Sequence, residues 1–429
     1  MQALADRDYY TDYDILKDPY GYFAAARAQG PIYKPAGQDY YIVTGFEEAL
    51  AIMRNHDAFS AIINLQGAGM PLPFTPEGSD INDQISAHRK EFVGWDLVSN
   101  MDDDRHTKLR ALINTLFVPS RLKASEEFIN RYCDDMVGKA VADGKVELIK
   151  EIATPFVTMV VADLLGVPME DRKIFMDAIA AAPPPGSIDG KKTGDPEHSP
   201  FTVMAKYFWE YIADRRANPQ KDILTEFAFA KYNDGSIPEP SDLVQLGMFM
   251  FGAGQDTSAK LLGTAVKFLI SQPGLQDRLR ADPKLIPDFL EEVLRLEGST
   301  KQEGRLARKD AVVGGIHIPA GSKIMISISG ANRDPRRWES PDELKLGRPK
   351  IAEHVAFGRG KHTCAGAPLA RAEVRIIMEK LLASTSRIDI DLEQHPDGVA
   401  NLTYEQSYII HGLSALHLKL TPPTGTSPS

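Results

Sequence analysis

Cysteine is scarce in this chain: Cys133 and Cys364 are the two among 429 residues. Neither lies in a CxxC, so the sequence offers no zinc site built on paired cysteines. The sequence leaves a Cys133–Cys364 disulfide open, but with no stretch that reads as a secretory leader, cytosolic redox conditions are the simpler setting. Long apolar runs are also missing. No stretch reaches the roughly 20 apolar residues that span a bilayer, and residues 1–21 are polar and aromatic, without the apolar core of a secretory leader. Basic residues are outnumbered, 49 against 59 acidic ones, for a net charge of −10. That balance argues against nonspecific nucleic-acid binding, which needs a basic face. No internal repeat and no Gly/Ser linker divides the chain. The expectation is one soluble, cytoplasmic domain over 1–429, with a frayed tail at about 421–429.

What is present is helical periodicity. It fits helices at 19–29, 46–56, 104–117, 121–142, 151–165, 169–181, 201–217, 221–231, 241–271, 285–297 and 367–384. A strand fits 39–43, strands and turns fit 305–330, a coil rich in Arg, Asp and Pro runs over 331–350, and 403–419 reads as a hairpin. The class is mainly α with a small β portion. Two stretches are rich in helix breakers: the apolar loop 59–76 and the connector 181–200. Loops of that kind often line a site. The helix at 241–271 carries Gly247, Gly252, Ala253 and Gly254 in its middle. Each glycine there costs about 1 kcal/mol relative to alanine. Such a cluster predicts a close approach to the backbone or a distorted helix.

The stretch Phe357-Gly358-Arg359-Gly360-Lys361-His362-Thr363-Cys364-Ala365-Gly366 stands out. Its glycines predict a tight hairpin that bulky side chains would block. Cys364 then sits just before a helix, where peptide N–H groups and the positive helix end favour a thiolate. A lone cysteine is ordinarily a small buried hydrophobe, and Cys133 takes that reading. For Cys364 the glycine spacing and the flanking Phe and His point to a metal ligand instead.

This stretch resembles the haem-binding signature of the cytochrome P-450 family, F-G-x-G-x-[HR]-x-C-x-G, at every defined position. The sequence that follows, Ala367-Pro368-Leu369-Ala370-Arg371-Ala372-Glu373, looks like that of the soluble bacterial members. The resemblance spans nearly the whole chain, most strongly from about 240 to 375. It implies the family fold, with haem b between the long central helix and the helix after the cysteine loop. It makes Cys364 the iron ligand, a thiolate that promotes O–O cleavage, with Phe357 and Gly366 beside it. Ala253-Gly254-Gln255-Asp256-Thr257 resembles the oxygen-binding motif, with Ala253 and Gly254 leaving room for dioxygen. Asp256 and Thr257 are the implied proton carriers, since dioxygen cleavage consumes protons as well as electrons. His106 and Arg110, which share a helix face at i, i+4, with Arg305 and His362, are the implied propionate partners. Glu292 and Arg295 match the family's E-x-x-R pair. Its third member is expected to be Arg333, Arg336 or Arg337.

The implied activity is that of an oxidoreductase. It is a haem-thiolate monooxygenase that activates O2 with two externally supplied electrons and hydroxylates a C–H bond. A mostly apolar pocket at Phe249, Gly252, Ala253 and Thr300, with the two breaker-rich loops, implies a hydrophobic small molecule: terpenoid, steroid, fatty or aromatic. Lys301 is a candidate anchor for a substrate carboxylate; the bland alternative turns it to solvent or to a propionate. No stretch reads as a reductase, so the electrons are expected from NAD(P)H through a separate ferredoxin or flavodoxin and its reductase. Arg359, Lys361, Lys108 and Arg371 are candidates for a basic docking patch. A monomer without membrane or nucleic-acid partners is expected. The rival readings are a peroxide-using or coupling haem-thiolate enzyme and a non-catalytic haem-binding sensor or carrier.

Overall fold

A computed structural model describes residues 3–180, 185–188 and 200–423. The expected helices are present with boundary shifts of a few residues: Tyr20–Gln29, Phe46–Arg54, Asp104–Leu116, Pro119–Asp143, Thr154–Leu164, Arg172–Ala180, Pro200–Ala217, Ile223–Ala228, Pro240–Ser271, Ile286–Glu297 and Ala367–Ser384. Their starts follow ordinary capping chemistry. Asp103 accepts the N–H of His106, and Asp222 accepts that of Thr225. Proline opens the helices at Pro119 and Pro240, where its missing N–H costs nothing.

Pro240–Ser271 is the axis of the fold. Gly247 and Gly263 serve close packing. A Cβ on Gly247 would lie 2.8 Å from the Phe208 ring, and one on Gly263 would lie 2.7 Å from Ile149 Cδ1. The helix Pro200–Ala217 therefore docks directly on backbone. The largest apolar core forms around this axis, with Phe156, Phe175, Phe208 and Phe251 fully buried in it.

Among the described residues the β portion forms three small sheets. Five strands run in the order Ile32–Tyr33, Tyr40–Val43, Lys323–Ser327, Gln302–Ala307 and Phe59–Ser60, with one parallel pairing, Tyr40 opposite Lys323. A two-residue turn at Gly314 and Gly315, both with positive φ, closes the hairpin of Ala311–Val313 and Ile316–Ile318. The third sheet corrects an expectation. Residues 403–419 do not pair as one hairpin. Tyr404 and Leu413 form an isolated bridge, and His417–Thr421 instead lies between Lys145–Glu147 and Arg387–Ile390. Short strands from distant segments left no alternation long enough to read. Thr421 thus belongs to a strand; 424–429 and most of the 181–200 connector lie outside the described residues.

The Glu292–Arg295 pair is wholly buried, with Arg295 Nε donating to Glu292 Oε1 at 2.8 Å. Its third member is Arg348, whose Nε donates to the same oxygen at 2.6 Å. This corrects the expected choice among Arg333, Arg336 and Arg337. Arg333 donates to the Leu296 carbonyl, Arg336 pairs with Glu48 and Asp334, and Arg337 pairs with Glu353. Arg348 lies 56 residues beyond Glu292, a distance across which sequence spacing carries no signal.

Candidate active site

The cysteine loop is shaped by two left-handed glycines, Gly358 at φ 64° and Gly360 at φ 79°. A Cβ on Gly360 would stand 2.4 Å from the Met53 carbonyl oxygen, so no side chain fits there. The Cys364 N–H donates to the Phe357 carbonyl at 2.8 Å, closing the hairpin. Its thiol is exposed to an internal cavity rather than to the outer surface. Burial pushes the thiol pKa up, while the N–H groups of Gly366 and Ala367 and the Arg110 guanidinium pull it down. Burial prevails in the free thiol. A bound metal ion would displace that proton.

The cavity has an empty volume of about 1310 Å³, open solvent at its mouth included. One wall is Phe357, Cys364, Ala365, Gly366, Leu369 and Ala370; the facing wall is Phe249, Ala253, Gly254, Thr257 and Leu261 from the central helix. At one end stand His106, Arg110, Arg305 and His362. Every residue expected to bind the cofactor therefore lines this single cavity. The Thr257 hydroxyl donates to the Ala253 carbonyl at 3.0 Å. Asp256 points away from the lining, and burial raises its pKa against the opposing field of Lys260.

The basic end has its own acids. The rings of His106 and His362 lie 4.5 Å apart. Burial, with His362, Lys361 and Arg110 nearby, lowers the His106 pKa to about 3. Both of its ring nitrogens are buried without a hydrogen-bond partner among the described residues. His362 Nε2 lies 3.4 Å from Asp102 Oδ1. Asp102 also accepts from Ser60, from the Ala61 N–H and from Arg308. These donors hold it well below the usual carboxylate range despite its burial. Arg305 pairs with Glu303 at 2.7 Å and reaches Asn64 at 3.4 Å. Asp102 and Arg308 carry no signal in the sequence, because each takes its meaning from a partner far along the chain. Glu303 pairs with Arg305 only two residues away but lies in no motif, and Asn64 is one unmarked position of the loop 59–76.

Two of the expected pocket residues are misplaced. Gly252 does not line the cavity, although its neighbour Ala253 does. Lys301 is fully buried, and its Nζ donates to the carbonyls of Leu16 and Ser407, each at 2.6 Å. It reaches neither cavity, propionate end nor solvent. It ties the N-terminal segment to the C-terminal loop. Thr300, one residue earlier, does line the cavity. From the loop 59–76 only Asn64 reaches it. The four candidate docking cations are engaged: Lys108 with Asp234, Arg371 with Glu291, Lys361 with the Asp102 carbonyl and Arg359 with the Gly358 and Ala352 carbonyls.

The cytochrome P-450 family model matches residues 190–397. A relative from Bacillus spizizenii, cytochrome P-450 109, is 31% identical over 306 residues, covering 70% of this chain and 75% of its own length. The substrate-free structure of cytochrome P-450 CYP150A6 from Mycobacterium marinum superimposes with a TM-score of 0.90 at 41% identity, covering 98% of this chain and 99% of that one. The chain belongs to the cytochrome P-450 family. It has the P-450 fold, and like its relatives it is a monooxygenase that works with haem iron and dioxygen. The vitamin D(3) 25-hydroxylase of Pseudonocardia autotrophica is 28% identical over 413 residues, covering 95% of this chain and 94% of its own. Among the described residues, no helix is long and apolar enough to cross a membrane.

Proposed function

We propose that this P-450 hydroxylates a C–H bond of a hydrophobic small molecule, with residues 1–429 acting as one catalytic domain. The observation that carries the reading is the cavity itself: a cysteine on one wall, small residues and an alcohol on the other, and cations at one end. A haem fits this donor set. Cys364 would hold the iron. Arg110, Arg305, His362 and the unpartnered ring of His106 would receive the propionates. When bound, the haem supplies dioxygen binding and activation, tuned by the thiolate.

The chain's own residues do the rest. Ala253 and Gly254 leave the space opposite the sulfur open. Thr257 presents a hydroxyl there, able to donate once it leaves the Ala253 carbonyl. Asp256, one residue back and turned toward the outside, takes up protons for it. Phe249, Thr300 and the apolar lining hold the substrate and exclude water. A relative that hydroxylates vitamin D(3) supports a substrate of that hydrophobic kind. Electrons come from NAD(P)H through a ferredoxin or flavodoxin, in the cytoplasm where such partners are reduced.

A carbon-monoxide difference spectrum of the reduced holoprotein tests the ligand: the band of a thiolate-ligated haem is expected, and that of a histidine-ligated haem would overturn the assignment. Product formation with partners and NAD(P)H, compared with peroxide alone, tests the electron route. Product from peroxide only would favour the peroxide-using alternative.

A further inference from the structure

One turn beyond Thr257 on the central helix stands Lys260, a charged residue the reaction has not yet used. It is 5% exposed. Its Nζ donates to Glu405 Oε1 at 2.5 Å and to the Leu413 carbonyl at 3.0 Å. The same Nζ lies 4.0 Å from Asp256 Oδ1, inside ion-pair range and beyond a hydrogen bond. Asp256 Oδ2 is buried without a partner among the described residues. The loop carrying Glu405 is fitted to the lysine. Gly412, whose carbonyl accepts the Glu405 N–H at 3.0 Å, lies against the lysine stem, and a Cβ there would come within 2.4 Å of Lys260 Cβ. One ammonium therefore faces two partly exposed carboxylates, and that of Asp256 adjoins the cavity-lining Thr257. The Glu405 side chain is 23% exposed and that of Asp256 18%.

We propose that Lys260 and Glu405 form a gate that sets when Asp256 exchanges its proton. This rests on the reading of Asp256 and Thr257 as proton carriers. Lys260 and Glu405 are positioning residues; neither lines the cavity. With Lys260 drawn to Glu405, as here, the Asp256 carboxylate lacks a full ion pair in a buried setting, and uptake of a proton from water is favoured. Asp256 then passes that proton toward the Thr257 hydroxyl and returns to carboxylate. With Lys260 drawn to Asp256, the carboxylate is held ionised and delivery stops. Among the described residues, Lys260 on its own helix and Glu405 on the C-terminal loop are the charged groups whose fields reach Asp256. They act in opposite directions, so the two substitutions separate them.

The test uses the full-length holoprotein. The titration of the Asp256 carboxyl is followed in the resting ferric state by its infrared C=O stretch, assigned by its absence in Asp256→Asn. Glu405→Gln frees Lys260 for Asp256 and lowers the midpoint; Lys260→Met raises it, each by about one pH unit. In turnover, Glu405→Gln increases the solvent deuterium isotope effect and the share of electrons lost to peroxide. Lys260→Arg keeps the cation and the midpoint if Lys260→Met fails to fold. An unmoved Asp256 midpoint in both Glu405→Gln and the lysine-removing variant overturns the gate. Normal coupling in Asp256→Asn would instead overturn the proton-carrier reading beneath it, so the two failures are distinguishable.

Discussion

On the cysteine side of the cavity, one continuous stretch, 357–373, supplies Cys364, the hairpin and the start of the helix behind it. On the substrate side, the lining comes from Asn64, Phe249, Thr300 and other residues that meet only through the fold. The first wall is rigid for local reasons: positive-φ glycines, a closing hydrogen bond and a helix beginning at once. The second is held by long-range ties, such as Lys301 to Leu16 and Ser407. Motif residues therefore occupy the cysteine wall and one stretch of the central helix, Ala253–Thr257, and the individuality of this P-450 resides in the lining residues between them, such as Asn64, Phe249 and Thr300.

The hardest break of this contrast is Cys364→Ala. Turnover and the thiolate spectral signature are expected to vanish together, while far-ultraviolet circular dichroism stays near wild type. Retained turnover would remove the cysteine wall from the chemistry. Next is the buried Glu292–Arg295–Arg348 triad behind that wall. Removing one partner of a buried ion pair costs about 3–5 kcal/mol. Glu292→Ala strands two arginines and is expected to cost the most, read as loss of stability to denaturant and of retained haem. Arg348→Ala should fall near it, and Arg333→Ala well below. Equal effects from Arg348 and Arg333 would contradict the assignment of Arg348 as third member. Gly360→Ala tests the hairpin alone. A left-handed non-glycine residue costs about 1–2 kcal/mol, and the Met53 carbonyl 2.4 Å away adds to it. A lowered melting temperature with weakened haem retention is expected, and a wild-type melting curve would refute it.

The same contrast explains what could be read from the sequence. Helices were legible because their periodicity is local, and Cys364 because its glycines are neighbours in the chain. His106 and Arg110 were legible because their H-x-x-x-R resembles a helix of the family, and both line the cavity. Arg348 and Asp102 were not, because burial and partnership across distant segments give them their roles. Lys301 shows the same limit from the other side. Its sequence neighbours make it a candidate pocket residue, and Thr300 does line the cavity. Thr300 forms an isolated bridge with Ile410, and Lys301, the last residue before the strand Gln302–Ala307, turns away from the cavity to the two carbonyls that receive it.

That buried lysine gives the smallest and sharpest test of the substrate wall. Burial lowers its pKa to about 7 from the ordinary 10.5. A neutral amine still has two hydrogens, enough for the Leu16 and Ser407 carbonyls. Below about pH 7 both folded and unfolded chains carry the proton, and the cost of burying charge is felt in full. Between pH 7 and 10.5 the unfolded chain holds more protons at this residue than the folded one, so its contribution to stability rises with pH. The slope is at most about 1.4 kcal/mol per pH unit. Lys301→Met removes that slope and leaves two carbonyls without a donor, at about 1–3 kcal/mol. Subtracting the stability-versus-pH curves of wild type and variant isolates the residue from the other groups that titrate there. A flat difference would show that Lys301 keeps its charge in the fold. A large loss of substrate affinity at unchanged stability would return Lys301 to the substrate, erasing the distinction between a wall that binds and the ties that hold it.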